Sequence, residues 1–259
     1  MFGLYDKRFD VPLLLGTSRY PSLDVLIECI DKWGVKVVTT SLRKQSALNS
    51  KKNLFWETLQ SLNVDVLPNT AGCKTVKEAI MIAQMAREVF ATDWIKLEVI
   101  ENDDTLKPFE AGTTEAAEML VKEGFKVFPY ITSNASVCEQ LAKIGCQVIM
   151  PWGSYIGSGQ GLVYKKELIE VRKALPDHTL IVDAGIGKPS DACLAMELGY
   201  DGVLINTAIA RAQDPIIMTG AFIDALFAGK KAREAGVIPE QSFATPSTTP
   251  LGMPIWHQE

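Results

Sequence analysis

The sequence predicts an α/β fold: a single closed (β/α)8 barrel, the TIM barrel, with a flexible C-terminal tail. Three observations predict it. Eight short apolar runs rich in β-branched residues alternate with eight longer stretches of helical period. Several of the runs are apolar at successive positions, as strands covered on both faces are. The length, 259 residues, suits a barrel of about 250 residues that forms one domain around one core.

The first run, Leu13–Thr17, leads into a GTSRYP turn, which is not the glycine fingerprint of an open dinucleotide-binding sheet. A helix over Ser22–Trp33 follows and stops at a glycine in KWG, where a left-handed cap needs no Cβ. Val35–Thr40 is the second run, and its helix is expected over Leu54–Leu62. Val64–Asn69 precedes Thr75–Ala91, whose Met-rich face is expected to belong to the core. Asp93–Ile100 precedes Thr114–Glu123, and Phe125–Ile131 precedes Ser136–Ile144. Cys146–Trp152 is followed by a loop with four glycines between Gly153 and Gly161, then by Lys166–Leu175. Thr179–Gly185 precedes Ser190–Leu198, and Tyr200–Ala208 precedes Pro215–Ala235. The barrel domain is expected over residues 1–236. Residues 237–259 hold four prolines and no helical period, and read as a tail that serves the barrel rim.

Composition narrows the function. With 26 Lys+Arg against 31 Asp+Glu, a net charge of −5 argues against a nucleic-acid surface. No apolar run reaches the ~20 residues that span a membrane, and the N-terminus does not read as a signal peptide. Five scattered cysteines without a C-x-x-C read as reduced thiols of a cytoplasmic protein. His178 falls in a turn on the non-catalytic face and His257 in the tail, so neither a histidine metal site nor a histidine triad is expected. No metal or cofactor is called for.

Chemistry in this fold sits at the C-terminal ends of the strands. In DWIKLEVI, alternation puts Ile95, Leu97 and Val99 on one face and Lys96 and Glu98 on the other, inside the barrel. Burial is expected to lower the Lys96 pKa and leave a free amine that attacks a carbonyl. Glu98 is placed to move the protons that imine formation requires. Asp183 ends the seventh run at the same rim. Gly185, Gly187 and the helix start at Pro189–Ser190 suit an anion, as do Asn206 and Thr207 after the eighth run. A phosphorylated ligand is therefore expected. Asn69, Thr70 and Gly72 also fall at the rim, and Cys73 beside them reads as a small buried residue. These residues leave open an imine-forming enzyme on a sugar phosphate, such as one of class I aldolase type, or a non-catalytic phospholigand-binding barrel.

The motifs LLLGTSRYPS, LPNTAGCKT, WIKLEVI, VIMPWGSYIGSGQG, VDAGIGKPSDA and GVLINTAIA occur in the order found in bacterial thiazole synthases. The chain resembles that family from about Phe9 to about Gly252. The resemblance implies condensation of 1-deoxy-D-xylulose 5-phosphate with dehydroglycine (2-iminoacetate) and with sulfur from the C-terminal thiocarboxylate of a ubiquitin-like carrier protein. It implies that Lys96 forms the imine, that Glu98 and Asp183 are the acid–base carboxylates, and that Gly157, Ala184, Gly185, Asn206 and Thr207 bind the sugar phosphate. A homo-oligomer is expected. The chain departs from the family pattern at Ser18 and Arg19, at Phe109 and Gly112, and at Trp152 and Tyr155.

Overall fold

The computed structural model describes residues 2–42 and 52–244. A short antiparallel hairpin comes first, β1 (Phe2–Leu4) and β2 (Lys7–Phe9). Eight parallel strands then close a barrel: β3 (Leu13–Gly16), β4 (Val37–Ser41), β5 (Asp65–Asn69), β6 (Trp94–Leu97), β7 (Lys126–Ile131), β8 (Val148–Pro151), β9 (Thr179–Asp183) and β10 (Gly202–Ile205). Around it run α1 (Leu23–Trp33), α2 (Lys52–Ser61), α3 (Val76–Phe90), α4 (Glu110–Lys122), α5 (Ala135–Ile144), α6 (Lys165–Ala174) and α7 (Pro189–Glu197), then a single turn, α8 (Thr207–Ala210), and α9 (Pro215–Ala235). The barrel closes through β10 against β3, with Val203 opposite Leu13.

The pleat sorts the core into two parts. Ile95, Leu97 and Val99 join the larger cluster between barrel and helices, while Trp94 joins the cluster inside the barrel. That alternation fixes the register on which the inward placement of Lys96 depends. Helix starts follow their caps. The Ser22 side chain accepts the Val25 amide at 3.2 Å, and Asp214 accepts the Ile216 and Ile217 amides at 2.9 Å each. Helix α9 approaches α1 closely because residue 220 is glycine: a Cβ there would fall 2.2 Å from the Trp33 ring.

One element is new and three expectations are corrected. The hairpin was not foreseen. Its Phe2, Leu4 and Phe9 enter the barrel-interior cluster with Trp94 and Phe128, so it plugs the end of the barrel opposite the strand C-termini. Each of its strands has only three residues, too few to show a period. The eighth barrel strand stops at Ile205 and not at Ala208, because the chain turns into α8 at Thr207. Helix α4 begins at Glu110, four residues before the expected Thr114, with its first carboxylate bonded to Thr132 and Asn134. The Met-rich face of α3 is outside the core: Ala79, Ala83, Ala86 and Phe90 are buried, whereas Met81 and Met85 are half exposed. Alanines let the helix backbone approach the sheet closely, so the small-residue stripe takes the inner face. The part of the expected tail from 245 to 259 lies outside the described residues; 237–244 are exposed and have no regular structure.

Candidate active site

A cavity of about 570 Å³ opens at the C-terminal ends of the strands. Lys96, Glu98 and Asp183 form its floor, and all three are nearly fully buried. The Lys96 ammonium donates to Glu98 Oε1 at 2.8 Å and pairs with Asp183 Oδ2 at 2.7 Å. Two carboxylates thus share one buried cation. Burial alone would push Lys96 down, but Asp183 and Glu98 outweigh it and hold the amine above its ordinary value. The expectation of a depressed lysine is therefore corrected: the resting nitrogen is an ammonium. Burial pushes Asp183 up from the ordinary carboxylate range, with Lys96 opposing.

Glu98 is held from behind. Thr70 Oγ1 accepts the Glu98 amide at 2.7 Å and donates to the Glu98 carbonyl at 2.8 Å. Thr70 is itself fully buried. This two-bond clamp fixes the backbone just past β6, where the strand ends at Leu97.

Gly157, Ala184, Gly185, Asn206 and Thr207 all line the same cavity as Lys96, Glu98 and Asp183. The loop after β9 turns through two left-handed residues, Ala184 at φ 71° and Gly185 at φ 81°. A Cβ at Gly185 would fall 2.0 Å from Ser154 Oγ, and one at Gly187 would fall 2.5 Å from the Gly159 carbonyl oxygen. The loop after β8 is therefore packed glycine to glycine on the loop after β9. Gly187 itself is not on the cavity wall. Its amide donates to Asp191 Oδ2 at 3.0 Å, as does that of Lys188 at 3.1 Å, so these donors are spent inside the chain. Of the residues read from the sequence for an anion, Gly185, Asn206 and Thr207 line the cavity and Gly187 does not. Asn206 also ties the first barrel loop in place, its Oδ1 accepting the Ser18 amide at 3.2 Å.

A family model described as Thiazole biosynthesis protein ThiG matches residues 3–249. The chain belongs to the thiazole synthase family, the barrel enzymes of thiamin biosynthesis. Its relatives include a thiazole synthase of Nitrobacter hamburgensis, 51% identical over 257 residues, which are 99% of each chain. One of Rhodopseudomonas palustris is also 51% identical over 257 residues and 99% of each chain. Among solved structures, the Amycolatopsis orientalis BexX/CysO complex contains a chain of 26% identity and TM-score 0.83, with 93% of this chain and 98% of that one covered.

The departures from the thiazole synthase pattern can now be placed. Ser18 and Arg19 line the cavity; Phe109, Gly112, Trp152 and Tyr155 do not. Phe109 and Gly112 are coupled, since a Cβ on residue 112 would fall 2.6 Å from the Phe109 ring. Trp152 stacks on Tyr164 with ring centroids 5.1 Å apart. Four of the six departures therefore lie off the cavity wall. Sequence reasoning missed Arg211, Thr39 and Thr40 on the cavity wall. The polar ending of the second run, VVTTS, was the available signal for the threonines. No helix among the described residues is long and apolar enough to cross a membrane.

Proposed function

We propose that this enzyme condenses 1-deoxy-D-xylulose 5-phosphate, held as an imine on Lys96, with dehydroglycine and with sulfur delivered as the thiocarboxylate of a small carrier protein. The observation that carries the proposal is one ammonium shared by two buried carboxylates in a cavity that Gly157, Gly185, Asn206 and Thr207 also line.

The proton balance of imine formation fits this triad. The Lys96 ammonium passes one proton to Asp183, and the free amine attacks the ketone carbon. The new N–C bond forms as the carbonyl pair moves onto oxygen. Nitrogen then gives a second proton to Glu98. Both protons go to the oxygen, which leaves as water, and the C=N bond forms. The ammonium began with three protons and the iminium keeps one. Both carboxylates end as they began, flanking a cation again, and no outside acid or base is consumed. Later tautomerisations need proton transfers at neighbouring carbons, for which the same two carboxylates are in reach.

The phosphate is assigned to Gly157, Ala184, Gly185, Asn206 and Thr207. Loops after the last two barrel strands are where this fold holds phosphates. The carrier-protein reading draws support from the BexX/CysO structure, a two-protein complex built on the same fold. Four of the six departures lie off the cavity wall, which favours the family's own sugar over a different one. A homo-oligomer completes the reading, and light scattering measures it.

The test is reconstituted turnover. Thiazole phosphate should form only when the five-carbon deoxyketose phosphate, dehydroglycine and carrier thiocarboxylate are all present. Equal turnover with a six-carbon ketose phosphate, or without the thiocarboxylate, refutes the assignment.

A further inference from the structure

The segments after β10 and β3 each bring an arginine to the cavity. Arg211 follows α8, its amide donating to the Thr207 carbonyl at 3.1 Å, and Arg19 follows β3. Both line the cavity and both are exposed, so they stand where it opens to solvent. The two segments are neighbours. Strand β10 pairs with β3, a Cβ at Gly16 would fall 2.4 Å from the Asn206 Cβ, and the Asn206 side chain holds the Ser18 amide. Arg19 is held in the left-handed region at φ 68°, which few residues other than glycine adopt. Neither guanidinium has a hydrogen bond or an ion pair among the described residues.

Charge decides what these arginines serve. Among the described residues the cavity is lined by three cations, Lys96, Arg19 and Arg211, and by two carboxylates, Glu98 and Asp183. Lys96 is engaged by both carboxylates, so the floor has no free positive charge. The residues assigned to the phosphate, Gly157, Ala184, Gly185, Asn206 and Thr207, are all uncharged. Without the arginines a phosphate dianion would meet neutral donors beside a floor with two carboxylates and one cation. Arg211 and Arg19 supply positive charge next to Asn206 and Thr207, in a planar fork that matches phosphate oxygens. The other two reactants are anions as well, but they join the sugar at or beside the imine carbon, which Lys96 holds on β6. In the closed strand order β6 is four places from β10 and three from β3, so the arginine segments suit the phosphate end of the sugar.

We propose that Arg211 and Arg19 bind the substrate phosphate as charged hydrogen-bond donors, and so make the cavity selective for a phosphorylated ketose. The proposal rests on the reading of the ligand as a sugar phosphate anchored at Lys96.

Arg211→Gln, Arg19→Gln and the double variant remove the charge and keep polar side chains, while Arg211→Lys keeps the charge and loses the fork. Titration calorimetry on each whole protein gives the dissociation constants of 1-deoxy-D-xylulose 5-phosphate and of unphosphorylated 1-deoxy-D-xylulose. Steady-state rates give the KM for dehydroglycine and for the carrier thiocarboxylate. Each single glutamine variant should bind the phosphorylated sugar about tenfold more weakly, and the double variant about a hundredfold, the worth of one and two charged hydrogen bonds. Arg211→Lys should recover part of the loss. The unphosphorylated sugar should bind wild type weakly and the variants no worse, and the other two KM values should stay within about twofold. Unchanged affinity for the phosphorylated sugar overturns the proposal. So does an equal loss for both sugars, which marks a packing role, or a loss confined to the KM of one other reactant, which hands the arginines to that anion. If wild type binds the two sugars alike, the phosphate reading itself has failed, which is a different result.

Discussion

Replacing Lys96 by methionine keeps the length of the side chain and removes the cation between Glu98 and Asp183. In the native protein the ammonium sits 2.8 Å from one carboxylate and 2.7 Å from the other, with all three side chains nearly fully buried. Removing one partner of a buried ion pair costs about 3–5 kcal/mol, because a desolvated charge is left behind. At about 2–4 °C per kcal/mol for a domain of this size, the unfolding midpoint should drop by roughly 6–20 °C near neutral pH. The loss must also depend on pH. Burial already raises Asp183, and loss of Lys96 removes the chief influence that lowers it. A carboxyl whose folded pKa lies above its unfolded value stabilises the fold fully below the unfolded pKa. It loses that contribution as pH rises through the folded pKa. The deficit of Lys96→Met against wild type should therefore be small near pH 5 and widen toward pH 8. Thermal or urea unfolding of both proteins at the two pH values measures it. A deficit under about 1 kcal/mol, or one that does not change with pH, refutes the shared-cation description.

Other outcomes follow from the same geometry. Glu98→Gln and Asp183→Asn should each slow turnover by about two orders of magnitude with sugar-phosphate affinity little changed. The acid limb of the wild-type rate profile should lie above the ordinary carboxylate range, since burial raises Asp183, and Asp183→Asn should abolish that limb. Thr70→Ala removes both bonds that clamp Glu98 and should lower kcat about tenfold, while Thr70→Ser, which keeps them, should restore most of it. Native thiol labelling should modify Cys193 alone, because Cys29, Cys73, Cys138 and Cys146 are buried and burial pushes the Cys138 and Cys146 thiols up to about 12.

The barrel was legible because most of its strands are apolar runs and several of the helices after them stop at a glycine. The inward pair Lys96 and Glu98 was legible for a related reason: polar residues alternating with Ile95, Leu97 and Val99 betray a two-sided strand. The glycine loops marked Gly157 and Gly185 as rim residues, and both line the cavity, though a glycine pattern does not say which amides stay free. Gly187 looked like a donor and is spent on Asp191. The charge state of Lys96 was misread because burial was visible in its own segment, while its second carboxylate, Asp183, comes from a strand far along the chain. The α3 methionines were misassigned because that helix carries two apolar stripes, and only packing distance tells which one faces the sheet.

Borohydride trapping read by peptide mass tests the central assignment most directly. The protein is reduced in the presence of the deoxyketose phosphate, digested and mapped. One reduced sugar adduct should appear, on the peptide that carries Lys96, and none should form in Lys96→Ala. An adduct on any other lysine, or one that persists unchanged in Lys96→Ala, would contradict the account.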